Sequence, residues 1–233
     1  MTTTPSATAN RPPAWQPYFI LACGLLATSA AAILIRFAQN DGAPSLVISA
    51  WRLGLATLVL TPIVLLRHRT EIAQLNRQQI LLAALAGIML VIHFASWITS
   101  LEYTSVLISV VLVTTNPLFV ALLSPLLLRE RISAFTLVAV FLAMIGGIVI
   151  TAAGDAGSAP KQDQPLLGAA LAMLGSISVA LYFIIGRRLR ATITIIPYIW
   201  LTYGAGAIGL ILLMLISGQA QGLIGLPASA IYG

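Results

Sequence analysis

The sequence predicts an all-α integral membrane protein, and two observations support this. Hydrophobic residues make up 59% of the 233 residues and charged residues only 8%, whereas soluble domains carry roughly 25% charge. The apolar residues also come in blocks of about 20, the helix length that crosses ~30 Å of hydrocarbon. We expect every block to be a helix, because an isolated strand leaves its backbone unsatisfied in lipid.

Seven apolar blocks are long enough to cross a membrane. They lie at about 17–38, 44–66, 78–101, 104–128, 132–153, 165–186 and 194–217. Residues 1–16 are rich in Pro, Ser and Thr, and are expected to be a disordered cytoplasmic segment. The ATSAAA stretch at 27–32 resembles a signal-peptide cleavage site, but the apolar run continues to Phe37. The first block is therefore interpreted as a retained helix.

The basic residues predict the orientation of the blocks. With the N-terminus in the cytoplasm, the outer loops hold only Lys161, and Arg36 lies near an outer helix end. Cytoplasmic loops carry an excess of Lys and Arg, so this multi-pass arrangement in the cell (inner) membrane is preferred. The inner segments then hold Arg11, Arg67, Arg69, Arg77, Arg129, Arg131, Arg187, Arg188 and Arg190.

A weak internal repeat links the two ends of the chain. A shift of 149 residues places Trp51 on Trp200 and Ser29 on Ser178, and aligns the first two blocks with the last two. Five blocks separate the copies, so the second copy is expected to be inverted, which is a common transporter design. Three helices of a complete second copy would be missing. The predicted units are a first five-helix repeat at 17–153, an outer loop at 154–164 and a partial second repeat at 165–233.

The stretch SLEYTSVLISVVLVTTNPLFVALLSPLLLRERIS (100–133), followed by FLAMIGGIVI (141–150), resembles the EamA-type half of the drug/metabolite transporter superfamily. The resemblance implies a ten-helix fold of two inverted five-helix repeats, with seven spanning helices present in this chain. It also implies transport of small metabolites, often amino acids or related compounds, and often export. The matching positions are Tyr103–Thr104–Ser105, Pro117–Leu118, Glu130–Arg131, Gly146–Gly147 and Arg52 in the second block.

His93 is a titratable residue in the apolar third block. Met89, His93, Ser96, Trp97 and Ser100 share one helix face by their spacing. His93 is expected roughly 12 Å below the outer end of that helix. Ionisable residues at such depth usually face the bundle interior or a water-filled cavity. The alternative is a neutral histidine that bonds to a neighbouring helix for packing, and the sequence leaves both open.

Two other polar residues are expected at membrane depth. Arg52 could recognise an anionic group such as a carboxylate, or it could bond to carbonyls and tie helices together. Asn116 precedes Pro117 in TTNPLF, where a break in the helix is expected. Broken helices often bind ligands in transporters. A plain kink satisfied by Thr114 or Thr115 is the alternative.

Tyrosines in the last two blocks complete the candidate site. Tyr182 shares a helix face with Ser178, and Tyr198 with Thr202. Their hydroxyls could bind a polar substrate, whereas an interfacial aromatic belt is the alternative. Arg36 and Glu102 could pair at the outer end, with a small contribution. The predicted substrate-binding residues are His93, Trp97, Ser96, Ser100, Asn116, Arg52, Tyr182 and Tyr198.

Other kinds of site find no support in the sequence. GAGAIG at 204–209 matches a dinucleotide fingerprint, but it lies inside an apolar block and therefore indicates close helix packing. There is no Walker sequence, no metal-ligand spacing and no nucleophile–base motif. An enzyme, a cofactor, a metal site and a nucleic-acid partner are not expected.

The predicted function is secondary transport, with export as the preferred direction. The substrates would be small polar or amphipathic, amino-acid-like metabolites carried by alternating access in the lipid bilayer. A proton is a candidate coupling ion, since His93 titrates near neutral pH. The alternative is a non-transporting membrane subunit or scaffold. Gly204, Gly206 and Gly209 would then form an association face, either for other membrane proteins or for a homo-oligomer.

Overall fold

The computed structural model describes residues 15–128, 133–154 and 164–219, and helices account for most of them. No strand occurs in these ranges. The predictions for residues 1–14, the Arg129–Glu130–Arg131 turn, the outer loop with Lys161 and the C-terminal tail lie outside them. The helices are α1 Gln16–Asn40, α2 Ser45–Arg67, α3 Arg69–Ala73, α4 Arg77–Tyr103, α5 Val106–Val113, α6 Asn116–Leu128, α7 Ala134–Gly154, α8 Pro165–Leu189 and α9 Ile195–Ile216.

The predicted all-α membrane fold is confirmed. Within the residues that the structure describes, six helical segments are long and apolar enough to span a membrane: α1, α2, α4, α5 with α6, α8 and α9. The remaining predicted block, 132–153, corresponds to α7. The six spans are roughly consistent with the seven blocks predicted from the sequence, and each block coincides with a helix or a helix pair.

The polar segment between α2 and α4 contains a short helix, α3, that the sequence did not predict. It is followed by a capping box that begins α4. The backbone N–H of Gln79 donates to Asn76 Oδ1 at 2.9 Å, and the N–H of Asn76 donates to Gln79 Oε1 at 2.9 Å. This reciprocal pair satisfies N–H groups that the first turn of a helix leaves free, and so it sets where α4 starts.

The predicted break in the fourth block occurs between α5 and α6. Pro117 has no N–H, so the carbonyl of Val113 loses its helical donor. The side-chain amide of Asn116 donates to that carbonyl instead, at 3.2 Å. Thr115 Oγ1 donates to the Leu112 carbonyl at 2.6 Å, and Thr114 Oγ1 to the Val110 carbonyl at 2.8 Å. The polar groups at the break therefore satisfy the chain's own backbone.

Helix α4 packs against α2, α8 and α9, and glycines allow the close approaches. Gly168 at the start of α8 lies against Thr104, which follows α4, and Gly175 lies against Ser96. Helices α4 and α8 are therefore antiparallel. A Cβ on Gly168 would lie 2.7 Å from Thr104 Cβ and 2.8 Å from its backbone nitrogen, so no larger residue fits there without a shift.

Helices α2 and α9, which the 149-residue shift aligns, are also antiparallel. Trp200 Nε1 donates to Thr61 Oγ1 at 2.9 Å near one end, and Gly206 lies against Leu53 closer to the middle. Because equivalent helices run in opposite directions, the structure agrees with an inverted second copy.

The glycine-rich segment of α9 packs inside the chain. A Cβ on Gly206 would collide with Leu53 of α2, and one on Gly209 would lie 2.6 Å from Val91 Cγ2 of α4. The interpretation as close helix packing is confirmed. The suggestion that these two glycines form a face for another protein is wrong, since neighbouring helices of the same chain already cover them.

Candidate functional site

An arginine and three rings from α2 and α4 form one group, which we call the Arg52 cluster: Arg52, His93, Phe94 and Trp97. The guanidinium carbon of Arg52 lies 5.4 Å from the ring centroid of Phe94 and 5.9 Å from that of Trp97. The His93 and Trp97 rings stack with centroids 5.7 Å apart and an interplanar angle of 18°. Cation–π contacts and stacking therefore hold the cluster together.

His93 links the cluster to α8 through a hydrogen bond. Its Nδ1 lies 2.9 Å from the carbonyl oxygen of Gly175, and the ring is buried. A carbonyl only accepts, so Nδ1 carries the proton in this bond. The absent side chain at Gly175 makes the approach possible, because a Cβ there would lie 3.2 Å from Trp97 Cβ. The bond between helices that the packing alternative proposed is thus present.

The Arg52 cluster holds hydrogen-bond donors that lack acceptors. Arg52 is partly buried, and its guanidinium makes no hydrogen bond or ion pair with any residue in the described ranges. The indole N–H of Trp97 is buried and likewise has no acceptor there. Unpaired donors at membrane depth are costly. The cluster is therefore chemically suited to receive a group rich in acceptors.

A second set of polar side chains lies between α4, α5, α6 and α8, and we call it the serine seam: Ser96, Ser100, Ser109, Thr115 and Ser176. Ser100 Oγ donates to the Trp97 carbonyl at 2.6 Å and lies 2.6 Å from Ser109 Oγ. Ser96 Oγ donates to the Ile92 carbonyl at 2.6 Å. Thr115 Oγ1 lies 3.1 Å from Ser176 Oγ. Every hydroxyl of the seam has a partner.

A cleft of about 640 Å³ opens between the end of α8 and the start of α9, and we call it the tyrosine cleft. The Tyr182 and Tyr198 rings stack there with centroids 5.9 Å apart. A Cβ on Gly186 would collide with the Tyr198 hydroxyl, so this glycine leaves room for the ring. The cleft is lined by Tyr182, Phe183, Gly186, Arg187, Arg190, Ala191, Ile195, Tyr198, Ile199 and Tyr203.

Two residues that the sequence analysis did not single out contribute to these features. The ring face of Phe94 lies against the guanidinium of Arg52. In the sequence, only the position of Phe94 next to His93 could have suggested this role. Tyr203 lines the tyrosine cleft. It follows Tyr198 by five residues, a spacing that does not place both on one helix face, so the sequence pattern did not group the two.

The eight predicted site residues fall into separate groups. His93, Trp97 and Arg52 lie in the Arg52 cluster, and Tyr182 and Tyr198 lie in the tyrosine cleft. The other three are engaged in local bonds: Ser96 and Ser100 in the serine seam, and Asn116 at the break between α5 and α6. The structure therefore brings three of the eight together in the Arg52 cluster and two in the tyrosine cleft.

Hydrogen bonds join α3 to the start of α9 at the end of the molecule that carries Arg67, Arg69, Arg187 and Arg188, which we call the arginine-rich end. The carboxylate of Glu71 accepts from the Thr194 N–H at 2.6 Å and from its hydroxyl at 2.7 Å. His68 Nδ1 lies 3.1 Å from the same carboxylate. Partial desolvation opposes ionisation, but these bonds together hold the pKa of Glu71 below its ordinary value.

At the opposite end, the predicted pair of Arg36 and Glu102 does not form. The Arg36 guanidinium donates to the Leu101 carbonyl, and the Glu102 carboxylate accepts from the Ser45 hydroxyl. Gln39 Nε2 donates to the Ile98 carbonyl at 2.8 Å. The prediction was wrong because backbone and hydroxyl partners on neighbouring helices take both charged groups.

Within the described ranges, no three His, Cys, Asp or Glu side chains come together as metal ligands would. The cationic and aromatic side chains of the Arg52 cluster are suited to binding a small molecule.

Comparisons with known proteins point to one family. Residues 15–152, more than half of the chain, match the EamA-like transporter family. The "Uncharacterized transporter YyaM" of Bacillus subtilis (strain 168) is 27% identical over 180 residues, 77% of this chain and 58% of that protein. A "Riboflavin transporter" of Brucella anthropi is 33% identical over 137 residues, 57% of this chain and 45% of that protein.

The chain spans about half the length of the curated relatives that it matches. No solved structure matches it significantly. The comparisons therefore concern the family and the membrane fold, and leave the substrate to be argued from the residues themselves.

Proposed function

We propose, because the chain belongs to the EamA-like transporter family, that it carries small polar or amphipathic metabolites across a membrane by alternating access. The observation that supports this most directly is the Arg52 cluster, in which the guanidinium and the buried indole N–H of Trp97 have no acceptor within the described ranges. Binding sites near the middle of the membrane and between inverted repeats are typical of secondary transporters.

We further propose that the arginine-rich end faces the cytoplasm of a cell (inner) membrane, which places the N-terminus there as well. Of the described residues, Arg67, Arg69, Arg77, Arg187 and Arg188 lie at or near helix ends on that side, and basic loops remain cytoplasmic. The tyrosine cleft then opens to the cytoplasm. Such an opening suits export, because cytoplasmic substrate can enter it directly.

The name of the Brucella relative makes riboflavin one candidate substrate, and amino acids are another. The proposal is tested by reconstituting the purified 233-residue chain in liposomes and measuring uptake of labelled riboflavin and of a panel of amino acids. Saturable uptake that protein-free liposomes lack is expected for at least one compound. A stable, folded chain that moves none of them would contradict the proposal.

A variant that fills the tyrosine cleft tests its role as the entrance. Ala191 is exposed and lines the cleft, so Ala191→Trp should reduce uptake by about 10-fold. The matched control is Ala73→Trp in α3, where the replaced side chain is also exposed but lies outside the cleft lining. Equal uptake by the two variants would show that substrate does not pass through this cleft.

A proton is proposed as the coupling ion, with His93 as the titrating group. His93→Gln is the sharper variant, because an amide can still donate to the Gly175 carbonyl but cannot titrate. If His93 couples transport, this variant should lose uptake driven by a pH gradient and keep exchange without a gradient. Gradient-driven uptake equal to that of the wild type would remove His93 from the coupling mechanism.

A further inference from the structure

We infer that the transported compound is an organic anion whose carboxylate binds to Arg52. This inference deepens the proposed function, and it depends on that proposal for the claims that the compound is transported and in which direction. The binding of the anion itself can be measured without any flux. The inference stands on three features of the described residues: the donors that lack partners, the balance of charge within the spans and the position of the guanidinium.

The first step concerns the donors of Arg52. A guanidinium has five N–H donors in a plane, arranged to bind a carboxylate through two parallel hydrogen bonds. Its contacts within the described ranges are with the Phe94 and Trp97 rings, and a cation–π contact uses none of those N–H groups. The carboxylate-binding edge of the guanidinium is therefore unused, and the buried N–H of Trp97 is a second unused donor nearby.

The second step concerns charge. The chain has six acidic residues. Asp41 and Glu102 lie at helix ends, and Glu71 lies in α3, where Thr194 and His68 occupy its carboxylate. The other three, Glu130, Asp155 and Asp163, fall between the predicted spans. None of these six acidic residues lies at the depth of Arg52 within a span, and an anionic ligand would supply a counter-charge there.

The third step concerns position. Arginines near helix ends can extend their side chains to the water interface, as Arg36 does when it donates to the Leu101 carbonyl at its helix end. The Arg52 guanidinium lies instead over Phe94, nine residues before the end of α4, which corresponds to ~13 Å along the helix. An arginine kept at that depth by aromatic rings is positioned for a ligand inside the protein.

The experiment compares pairs of compounds that match in size and shape, one with a charged carboxylate and one with a neutral amide. The purified 233-residue chain in detergent is titrated with benzoate and benzamide, indole-3-acetate and indole-3-acetamide, and nicotinate and nicotinamide, and binding is measured by calorimetry and by the shift in Tm. In at least one pair, the carboxylate should bind saturably and at least ~10-fold more tightly than its amide. If no carboxylate binds better than its amide in any pair, the inference is overturned.

Variants locate the preference for the anion. Arg52→Gln should lose the difference between carboxylate and amide, while Arg52→Lys, which keeps the charge but not the paired donors, should retain part of it. Arg36→Gln removes one positive charge from a site outside the cluster and should bind like the wild type. A wild-type preference for the carboxylate in Arg52→Gln, or its loss in Arg36→Gln, would contradict the assignment.

Two readouts keep the inference separate from the proposed function. Should Arg52→Gln fail to fold, the wild-type comparison of each carboxylate with its amide and the Arg52→Lys variant still decide the question. Preferential binding of a carboxylate without uptake into liposomes would support the Arg52 site and count against transport. Uptake of neutral compounds alone, equal in the wild type and Arg52→Gln, would support transport and overturn the anion site.

Discussion

The serine seam and the Arg52 cluster share helix α4, but their polar groups differ in whether they have partners. In the seam, the hydroxyls of Ser96, Ser100 and Ser109 bond to one another or to backbone carbonyls. In the cluster, the guanidinium of Arg52 and the indole N–H of Trp97 have no acceptor within the described ranges. Both sets place polar residues in apolar helices, so the sequence pattern alone does not distinguish one from the other.

A polar residue in a membrane helix therefore indicates a binding site when its hydrogen-bonding capacity is unused. A bonded serine adds to the cohesion of the helices and offers nothing to a ligand. An unpaired arginine weakens the unliganded protein and gains a partner when an anion arrives. Substitutions in the seam should therefore affect stability, and those in the cluster should affect binding.

The largest effect on stability is expected where the seam's helices approach most closely. Gly168→Ala places a Cβ 2.8 Å from the backbone nitrogen of Thr104, and that backbone cannot move aside easily. Overpacking of this kind costs about 1–3 kcal/mol, so the Tm should fall by about 2–10 °C. Thermal unfolding in detergent, followed by circular dichroism, measures it.

The matched control for Gly168→Ala is Gly54→Ala, on the helix that carries Arg52. A Cβ at Gly54 meets no atom within 4 Å. Alanine also favours the helix over glycine by roughly 0.5–1 kcal/mol, so the Tm should stay constant or rise. A fall in Tm of the same size in both variants would show that the close approach of α8 is not what makes Gly168 necessary.

A smaller effect is expected within the seam itself. Ser100→Ala and Ser109→Ala each remove one side of the bond between the two hydroxyls, at a cost of about 1 kcal/mol each. The double variant should lose less than the sum of the single losses, by roughly 0.6 kcal/mol. The double-mutant cycle is measured by reversible unfolding. Strict additivity would mean that the two hydroxyls do not stabilise each other.

The smallest effect is expected at the arginine-rich end, outside both regions. The pKa of Glu71 is lowered by its bonds to Thr194 and His68, so the ionised form contributes stability above the unfolded pKa of 4.5. That contribution should disappear as the pH falls through the lower, folded pKa. Because the carboxylate is only partly buried, the wild type should exceed Glu71→Gln in Tm by only about 1 °C at pH 7.

Tm curves of the wild type and Glu71→Gln between pH 7 and pH 3 test this assignment. The difference between the two proteins should be constant at neutral pH, begin to shrink near pH 4.5 and vanish below the folded pKa of Glu71. A difference that grows as the solution becomes more acidic would mean that the folded pKa of Glu71 is raised.

Much of the fold could be predicted from the sequence, because apolar length and turn residues are local signals. The break before Pro117 was predictable for the same reason, since a missing N–H affects its own helix. The short helix α3 was missed, because five residues without a hydrophobic face leave no periodic pattern.

The site was less predictable, because it depends on which helices meet. His93 was recognisable as unusual, but its bond to Gly175 depends on the pairing of α4 with α8, which no local pattern encodes. Ser100 was grouped with His93 by helical spacing, although its hydroxyl is bonded to Ser109. Phe94 was overlooked, since a phenylalanine in an apolar helix is unremarkable until an arginine lies over it.

The most direct test compares Arg52→Gln with Ser100→Ala in the same two measurements, Tm and affinity for the carboxylate that binds best. Arg52→Gln should lower the affinity at least ~10-fold with an unchanged or higher Tm, since it removes an unpaired charge. Ser100→Ala should lower the Tm and leave the affinity unchanged. If Ser100→Ala weakens binding while Arg52→Gln only changes the Tm, the assignment of binding to the cluster and cohesion to the seam is wrong.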